Sequence, residues 1–259
     1  MDSIEKKILE LNRLQDIQQR SHWMNNLHPL GKLLISVIYI FLVTSIDKYD
    51  IVTLILMSVY VIFTFIIGEL SVKEGIYRMR LILPLVLFVG IFNPFFDKSS
   101  VMVAGFAVRG GIVSMLTLVI KGLYTVFAVY ALIATTSIDD ICYALRSIKV
   151  PKIIVIVIML IYRYIDVMAG EADRIYTAYR LRAPGQKGIE YRSWGTLVGQ
   201  WLLRSMDKAR IVYESMHLRG FKGDFIPKKK GVKKIDVIYP IVWVLILLFI
   251  RFYAGGGVL

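Results

Sequence analysis

Apolar residues in this chain come in long blocks, with the charges gathered between them. Residues 1–28 are mostly polar, carry Lys6, Lys7, Arg13 and Arg20, and read as a cytoplasmic N-terminal helix. The first apolar block, 33–46, lies between Lys32 and Asp47. Its fourteen residues rise about 21 Å, short of a bilayer core of about 30 Å. Lys32 can snorkel and 29–31 lengthen the block, so it is expected to cross. The second block is 51–67, and the third is 81–96, where Pro84 and Pro94 should bend a helix. An apolar piece at 101–108 is too short to cross as a helix. The fourth block, 110–133, contains Lys121, and the last, 237–250, lies between Asp236 and Arg251 ahead of a Gly-rich tail that needs no structure.

The stretch 151–168 is ambiguous by apolarity alone. Ten apolar residues, 153–162, are interrupted by Arg163 and Asp166. Charge decides its placement. With the N-terminus inside, the connections 68–80 (Lys73, Arg78, Arg80) and 136–150 (Arg146, Lys149) are cytoplasmic, as basic loops should be. Residues 170–234 carry fifteen Lys and Arg against six Asp and Glu, a net +9 within the chain's formal +13. A crossing at 151–168 would put that segment outside. The expectation is therefore that 151–168 dips into the membrane or lies along it and returns, leaving five spans and an external C-terminus. The fold class is an all-α polytopic membrane protein: N-terminal helix 1–28, spans at 29–150, a membrane-dipping and cytoplasmic region at 151–234, and a last span with its tail at 235–259.

Composition agrees. The chain has 259 residues, of which 57% are hydrophobic, and its mean hydropathy is +0.63, above ordinary soluble usage. Cys142 is the single cysteine, so no intrachain disulfide exists. The first apolar block follows some thirty mostly polar residues without a small-residue cleavage site, so no signal peptide is expected.

The basic segment reads as two amphipathic helices. Ile161, Tyr164, Ile165, Met168, Ala172, Ile175, Tyr176 and Tyr179 recur at spacings of three and four, up to a stop at Pro184. A second stripe holds Tyr191, Trp194, Val198, Trp201, Leu202, Ala209, Val212 and Met216, and stops at Gly220. Gly195 and Gly199 form a pair that would admit a close helix. The two helix ends are alike: 175–183 aligns with 212–220, each finishing in Leu-Arg-small, Leu181-Arg182-Ala183 and Leu218-Arg219-Gly220. Arginines there complement the helix dipole and obey the positive-inside pattern. They would equally suit acidic grooves on a partner, where a guanidinium grips a carboxylate with two bonds.

At these residues the chain resembles the T component of energy-coupling factor transporters, the CbiQ/EcfT family. The resemblance covers nearly the whole chain. It includes the entry at 27–34, where the family often has Asp-Pro-Arg-x-Lys, and the run 151–182 with Arg163, Tyr164 and Glu171. It is most specific at the two Ala-Arg-Gly-like signatures, 181–183 and 218–220, with Phe221-Lys222-Gly223 after the second. Both depart from the family wording, and each keeps its arginine. The resemblance implies that Leu181, Arg182, Ala183, Leu218, Arg219 and Gly220 tip coupling helices that sit in grooves of two ATPase subunits. Those helices would pass nucleotide-driven motion to a substrate-binding S component. The region around 151–182 and the N-terminal extension resemble the cobalt-type branch, which implies cobalt ion uptake; a T component shared among vitamin-specific S components is the alternative.

The inventory is consistent with a non-catalytic subunit. No G-x-x-x-x-G-K-[S/T] loop occurs, so ATP and Mg would be bound by partner subunits and no cofactor by this chain. His22, His28 and His217 are dispersed, and no His/Cys cluster suits a metal. Asp139 and Asp140 follow Thr135-Thr136-Ser137 and read as a helix start. Lys121 is the one charge well inside a span, which makes it a functional candidate beside the reading of a snorkelling or interior lysine. Lys228, Lys229, Lys230, Lys233 and Lys234 suit anionic lipid, and no stacking aromatics favour nucleic acid. The reading from another class is a membrane-embedded enzyme acting on lipid or peptide, for which the spans offer little beyond Lys121, Asn93 and hydroxyls. An autonomous carrier should show inverted repeats with broken helices in both halves; the block around Pro84 and Pro94 is interrupted, and no matching half is found.

Overall fold

The computed structural model describes residues 23–96, 100–103, 106–186, 188–223, 231 and 233–255. The N-terminal helix proposed for 1–28 lies outside them apart from one turn, Trp23–Asn26. So do Lys228, Lys229 and Lys230 and residues 256–259 of the tail. The chain divides into two compact units, and the first, the body, is helical. Its helices are α1 (Pro29–Ser45), α2 (Ile51–Ile67), α3 (Val72–Phe96), α4 (Gly110–Thr135), the first part of α5 (Ile138–Ser147) and α8 (Lys234–Gly255). The uncertain piece at 101–108 is a two-stranded antiparallel hairpin, β1 (Ser100–Val103) with β2 (Phe106–Arg109). Pairing satisfies the backbone of a segment too short to cross as a helix.

Most helices of the body start on a side-chain cap, although α4 has none. His28 Nδ1 accepts from the Leu30 amide at 3.4 Å, and Pro29 supplies the first helical residue of α1. Asp50 accepts from Thr53 N–H at 3.0 Å and starts α2. Ser137 accepts from Asp140 N–H at 3.2 Å, with Asp139 and Asp140 in the first turn of α5, as the sequence implied. Asp236 accepts from Lys233 N–H at 2.8 Å and from His28 N–H at 2.9 Å, which ties the start of α8 to the start of α1.

The core of the body lies between α1, α2, α4 and α8. Tyr39 is fully buried, stands 4.6 Å from the Tyr60 ring and donates to the Met57 carbonyl at 3.1 Å. Trp243 packs on Tyr60 at 5.3 Å and on Phe63 at 4.7 Å. Two lysines brace α1 against α4 reciprocally. Lys32 Nζ donates to the Thr135 carbonyl at 2.7 Å, at the end of α4. Lys121 Nζ donates to the carbonyls of Thr44 and Ile46, at the end of α1. Each ammonium satisfies carbonyls that the helix end leaves without intrahelical donors. Arg251 of α8 adds a bond to the Ser45 carbonyl at 2.9 Å.

The second unit contains α6 (Lys152–Arg182) and α7 (Tyr191–Leu218). Here one expectation is corrected. A dip and return inside 151–168 needs a chain reversal, whereas α6 runs unbroken for 31 residues. No proline or glycine interrupts 152–168, and apolar positions alone give no reason to turn. By length and composition α6 is one of three described helices able to cross a membrane, with Gly110–Thr135 and Lys234–Tyr253.

Candidate docking unit

α6 and α7 form a helical hairpin whose linker is shaped by its own residues. Gly185 and Gly188 take φ of +88° and +85°, values that favour glycine. Tyr179 Oη donates to Gln186 Oε1 at 3.0 Å and accepts from the Glu190 amide at 3.1 Å. The end of α6 is thereby pinned beside the start of α7.

The helices meet at a polar crossing. Trp201 Nε1 donates to the Met168 carbonyl at 3.1 Å. The Glu171 carboxylate, buried on α6, accepts from Arg174 at 3.2 Å and from Arg204 of α7 at 3.3 Å. Two guanidinium partners compensate the loss of water around that carboxylate. Beyond the crossing the helices leave an apolar groove of about 1020 Å³, floored by Ile161, Ile165 and Ala172 from α6 and by Val198, Leu202, Ala209 and Val212 from α7. Tyr164, Asp166 and Lys208 add the polar groups along it. The stripe on α7 is largely the wall of this groove. No residue of α7 is buried, and Tyr191 is 92% exposed. Among the described residues the pair Gly195 and Gly199 does not serve close packing: a Cβ built on either meets none of their atoms within 4 Å.

The two arginine signatures fall at separate tips. Leu181 is 79% exposed and Leu218 is 87% exposed, and Arg182 and Arg219 are exposed beside them. Ala183 caps α6 through its amide on the Tyr179 carbonyl at 3.1 Å. Gly220, at φ +78°, closes α7 in a Schellman turn. Its amide reaches the His217 carbonyl at 2.9 Å, and the Phe221 amide reaches Met216 at 3.0 Å. Because Tyr179 holds the end of α6 at the start of α7, the tips are separated by about the length of α7, whose 28 residues span roughly 42 Å. The structure thus does not bring Arg182 and Arg219 together. Lys121, in the body, is engaged by carbonyl groups as described.

Three features escaped sequence reasoning. Arg204 was only one of the fifteen basic residues counted in 170–234, Tyr179 was one more stripe residue, and Lys32 was a snorkelling boundary charge. Their partners lie 33, 7 to 11 and 103 residues away; only the Tyr179 contacts are local enough for the sequence to have offered a signal. Among the described residues no three His, Cys, Asp or Glu side chains gather as a metal site.

The profile of the CbiQ family, described as cobalt transport protein, matches residues 20–231. The chain belongs to the CbiQ family. It is 30% identical over 106 residues to a putative fused cobalt transport protein CbiMQ of Methanocorpusculum labreanum, covering 40% of this chain and 18% of that protein. It is also 30% identical over 147 residues to the uncharacterized protein MJ1089 of Methanocaldococcus jannaschii, covering 55% of this chain and 54% of that protein. The chain thus spans about half or less of the curated relatives it matches. The CbiQ match takes in all of α1 to α7. With the apolar helices of the body, it makes this a membrane protein of a cobalt transport family.

Proposed function

We propose that the chain is the transmembrane T component of an ATP-driven importer of the energy-coupling factor type, with cobalt ion as the transported substrate. It would join two cytoplasmic ATPases to a small substrate-binding membrane protein and carry out no chemistry itself. The observation that carries this reading is the α6–α7 hairpin. Two exposed arginine tips stand roughly 40 Å apart at the ends of one helix, far enough for each to enter a different subunit. Among the described residues an apolar groove between the helices stays uncovered, a surface suited to a membrane partner. Membership in the CbiQ family and the printed name of the CbiMQ relative support cobalt as substrate.

In this reading α6 lies along the cytoplasmic membrane surface, because crossing would export the net +9 of residues 170–234. The N-terminus is inside and Leu259 outside. A phosphatase fusion at Leu259 should be active and one at Gln186 inactive; activity at Gln186 would mean that α6 crosses.

The decisive experiment targets the tips. Arg182→Glu and Arg219→Glu should each weaken ATPase attachment about thirty-fold or more, since disrupting a buried interfacial charge pair costs about 2–5 kcal/mol. If the arginines only complement helix dipoles, alanine there should remove about 0.3–1 kcal/mol of local stability and leave the complex whole. Undiminished recovery of ATPase with the inserted double variant would remove the coupling assignment.

A further inference from the structure

The body is short between charges on one side. On α1, fourteen residues separate Lys32 from Asp47, and on α8 fourteen separate Asp236 from Arg251. Both stretches rise about 21 Å, some 9 Å less than an ordinary bilayer core. The end charges are fixed in place. At one end Lys32 holds the Thr135 carbonyl and Asp236 holds the His28 amide. At the other, Lys121 and Arg251 hold the carbonyls of Thr44, Ser45 and Ile46. A free lysine relieves such a mismatch by extending toward water. These cations are tied to the end of α1, so their depth is set by that helix. Lys121 sets it on α4 as well, fourteen positions before Thr135, although α4 continues to Gly110 and the hairpin beyond. The end that holds Lys121 and Arg251 remains partly exposed, with Asp47 and Lys48 exposed beside them, whereas Lys32 and Asp236 at the other end are buried. The faces between them are apolar and outward: Leu34, Val37 and Phe41 on α1, Leu245 and Phe249 on α8.

We propose that the face made by α1 and α8 fits a locally thinned bilayer, with a hydrophobic thickness of about 21 Å, whose headgroups and water reach Lys121 and Arg251. The inference is independent of the transport reading. It requires only that the body be in a membrane. Dry burial of two cations and Asp47 within a bilayer of ordinary thickness is the costly alternative.

The test uses the full chain with Cys142→Ala, reconstituted in dioleoyl-phosphatidylcholine vesicles. Single spin labels replace Leu34, Val37, Phe41, Thr44 and, on α2, Ile55, all exposed positions. Power saturation with oxygen and a nickel chelate reads the depth of each. A thinned bilayer predicts Leu34 and Thr44 both at the headgroups, with Val37 and Phe41 deepest and no more than about 10 Å down, half of 21 Å. It also predicts Ile55, five residues past Asp50, within about 8 Å of the surface. A Thr44 label as deep as Phe41 would overturn the proposal, because the bilayer would then keep its thickness around dry charges. A hydrated Thr44 with Ile55 deeper than about 12 Å would overturn it too, by confining the water to a recess in the protein.

Discussion

The body and the α6–α7 hairpin are made of the same material and finish it differently. Ile35, Tyr39, Leu54 and Met57 of the body are fully buried by neighbours within the chain. On α7, Leu203, Met206 and Ile211 are equally apolar and remain more than half exposed. A bundle of α1, α2, α4 and α8 supplies every helix with partners, whereas a two-helix hairpin can shield each helix only along one seam. The lesson is that apolarity locates surfaces that need a partner. It does not say whether the chain itself, lipid or another protein provides one.

The largest contrast should appear when comparable side chains are removed from each region. Tyr39→Ala takes away a buried ring, its contact with Tyr60 and its bond to Met57, and should cost about 3–5 kcal/mol. Leu203→Ala or Met206→Ala should change stability by no more than about 0.5 kcal/mol. Unfolding in mixed detergent micelles measures both. If the α7 variants destabilise as much as Tyr39→Ala, the hairpin is not the unfinished surface described above.

Inside the hairpin, the crossing gives a smaller and asymmetric effect. Arg204→Ala leaves the buried Glu171 carboxylate with Arg174 alone, and should cost about 1–3 kcal/mol. Glu171→Ala leaves two guanidinium groups that are largely solvated, with side chains 75% and 51% exposed. It should cost less than Arg204→Ala despite removing both ion pairs. Hydrogen exchange along α7 in the intact protein is the readout, and equal loosening by the two variants would refute the asymmetry.

Much of this was legible because the signals are local. Lys32, Asp47, Asp236 and Arg251 bracket their helices in sequence, and Pro184 and Gly220 stop α6 and α7 where the chain says they should. The arginine tips were legible for the same reason. What was hidden depends on pairing at a distance. Nothing near Lys121 announces that its acceptors are Thr44 and Ile46, and nothing near Glu171 points to Arg204. The hairpin at 100–109 was hidden by its brevity, since eight apolar residues fit several structures. The unbroken course of α6 was obscured by topology: the positive-inside argument required 170–234 to stay inside, and a reversal was one way to achieve it.

Helix ends offer a finer comparison. Gly220 and Lys149 both take the left-handed position of a Schellman turn, at φ +78° and +66°, one closing the hairpin and the other closing α5. Gly220→Ala should destabilise by about 1 kcal/mol, the steric cost of a Cβ in that region. Lys149→Gly should gain no more than about 1 kcal/mol, since relief of strain is partly offset by a freer unfolded chain. Thermal unfolding of the two variants side by side checks the opposite signs. A loss for both would mean that the Lys149 side chain makes a contact worth more than its backbone strain.

The smallest effect concerns the one cysteine. Cys142 on α5 is buried in the body, and its thiol is pushed above the usual range, first by burial and second by the nearby charge of Asp139. Both causes disfavour the thiolate, the form that reacts with maleimides. Labelling of the folded protein should therefore be slow at neutral pH and rise only in alkali. Asp139→Asn removes the lesser cause and should accelerate it modestly, leaving burial in place. The sign for stability follows from linkage. Because the folded pKa lies above that of an unfolded thiol, about 8.5, the unfolded state loses its proton first as pH rises. Stability from this group is then complete below that value and declines above it, and Cys142→Ser should flatten the decline. If Cys142 labels at neutral pH as fast as an exposed thiol, the packing of α5 on the body is looser than its burial implies, and the contrast between a finished body and an unfinished hairpin weakens at that helix.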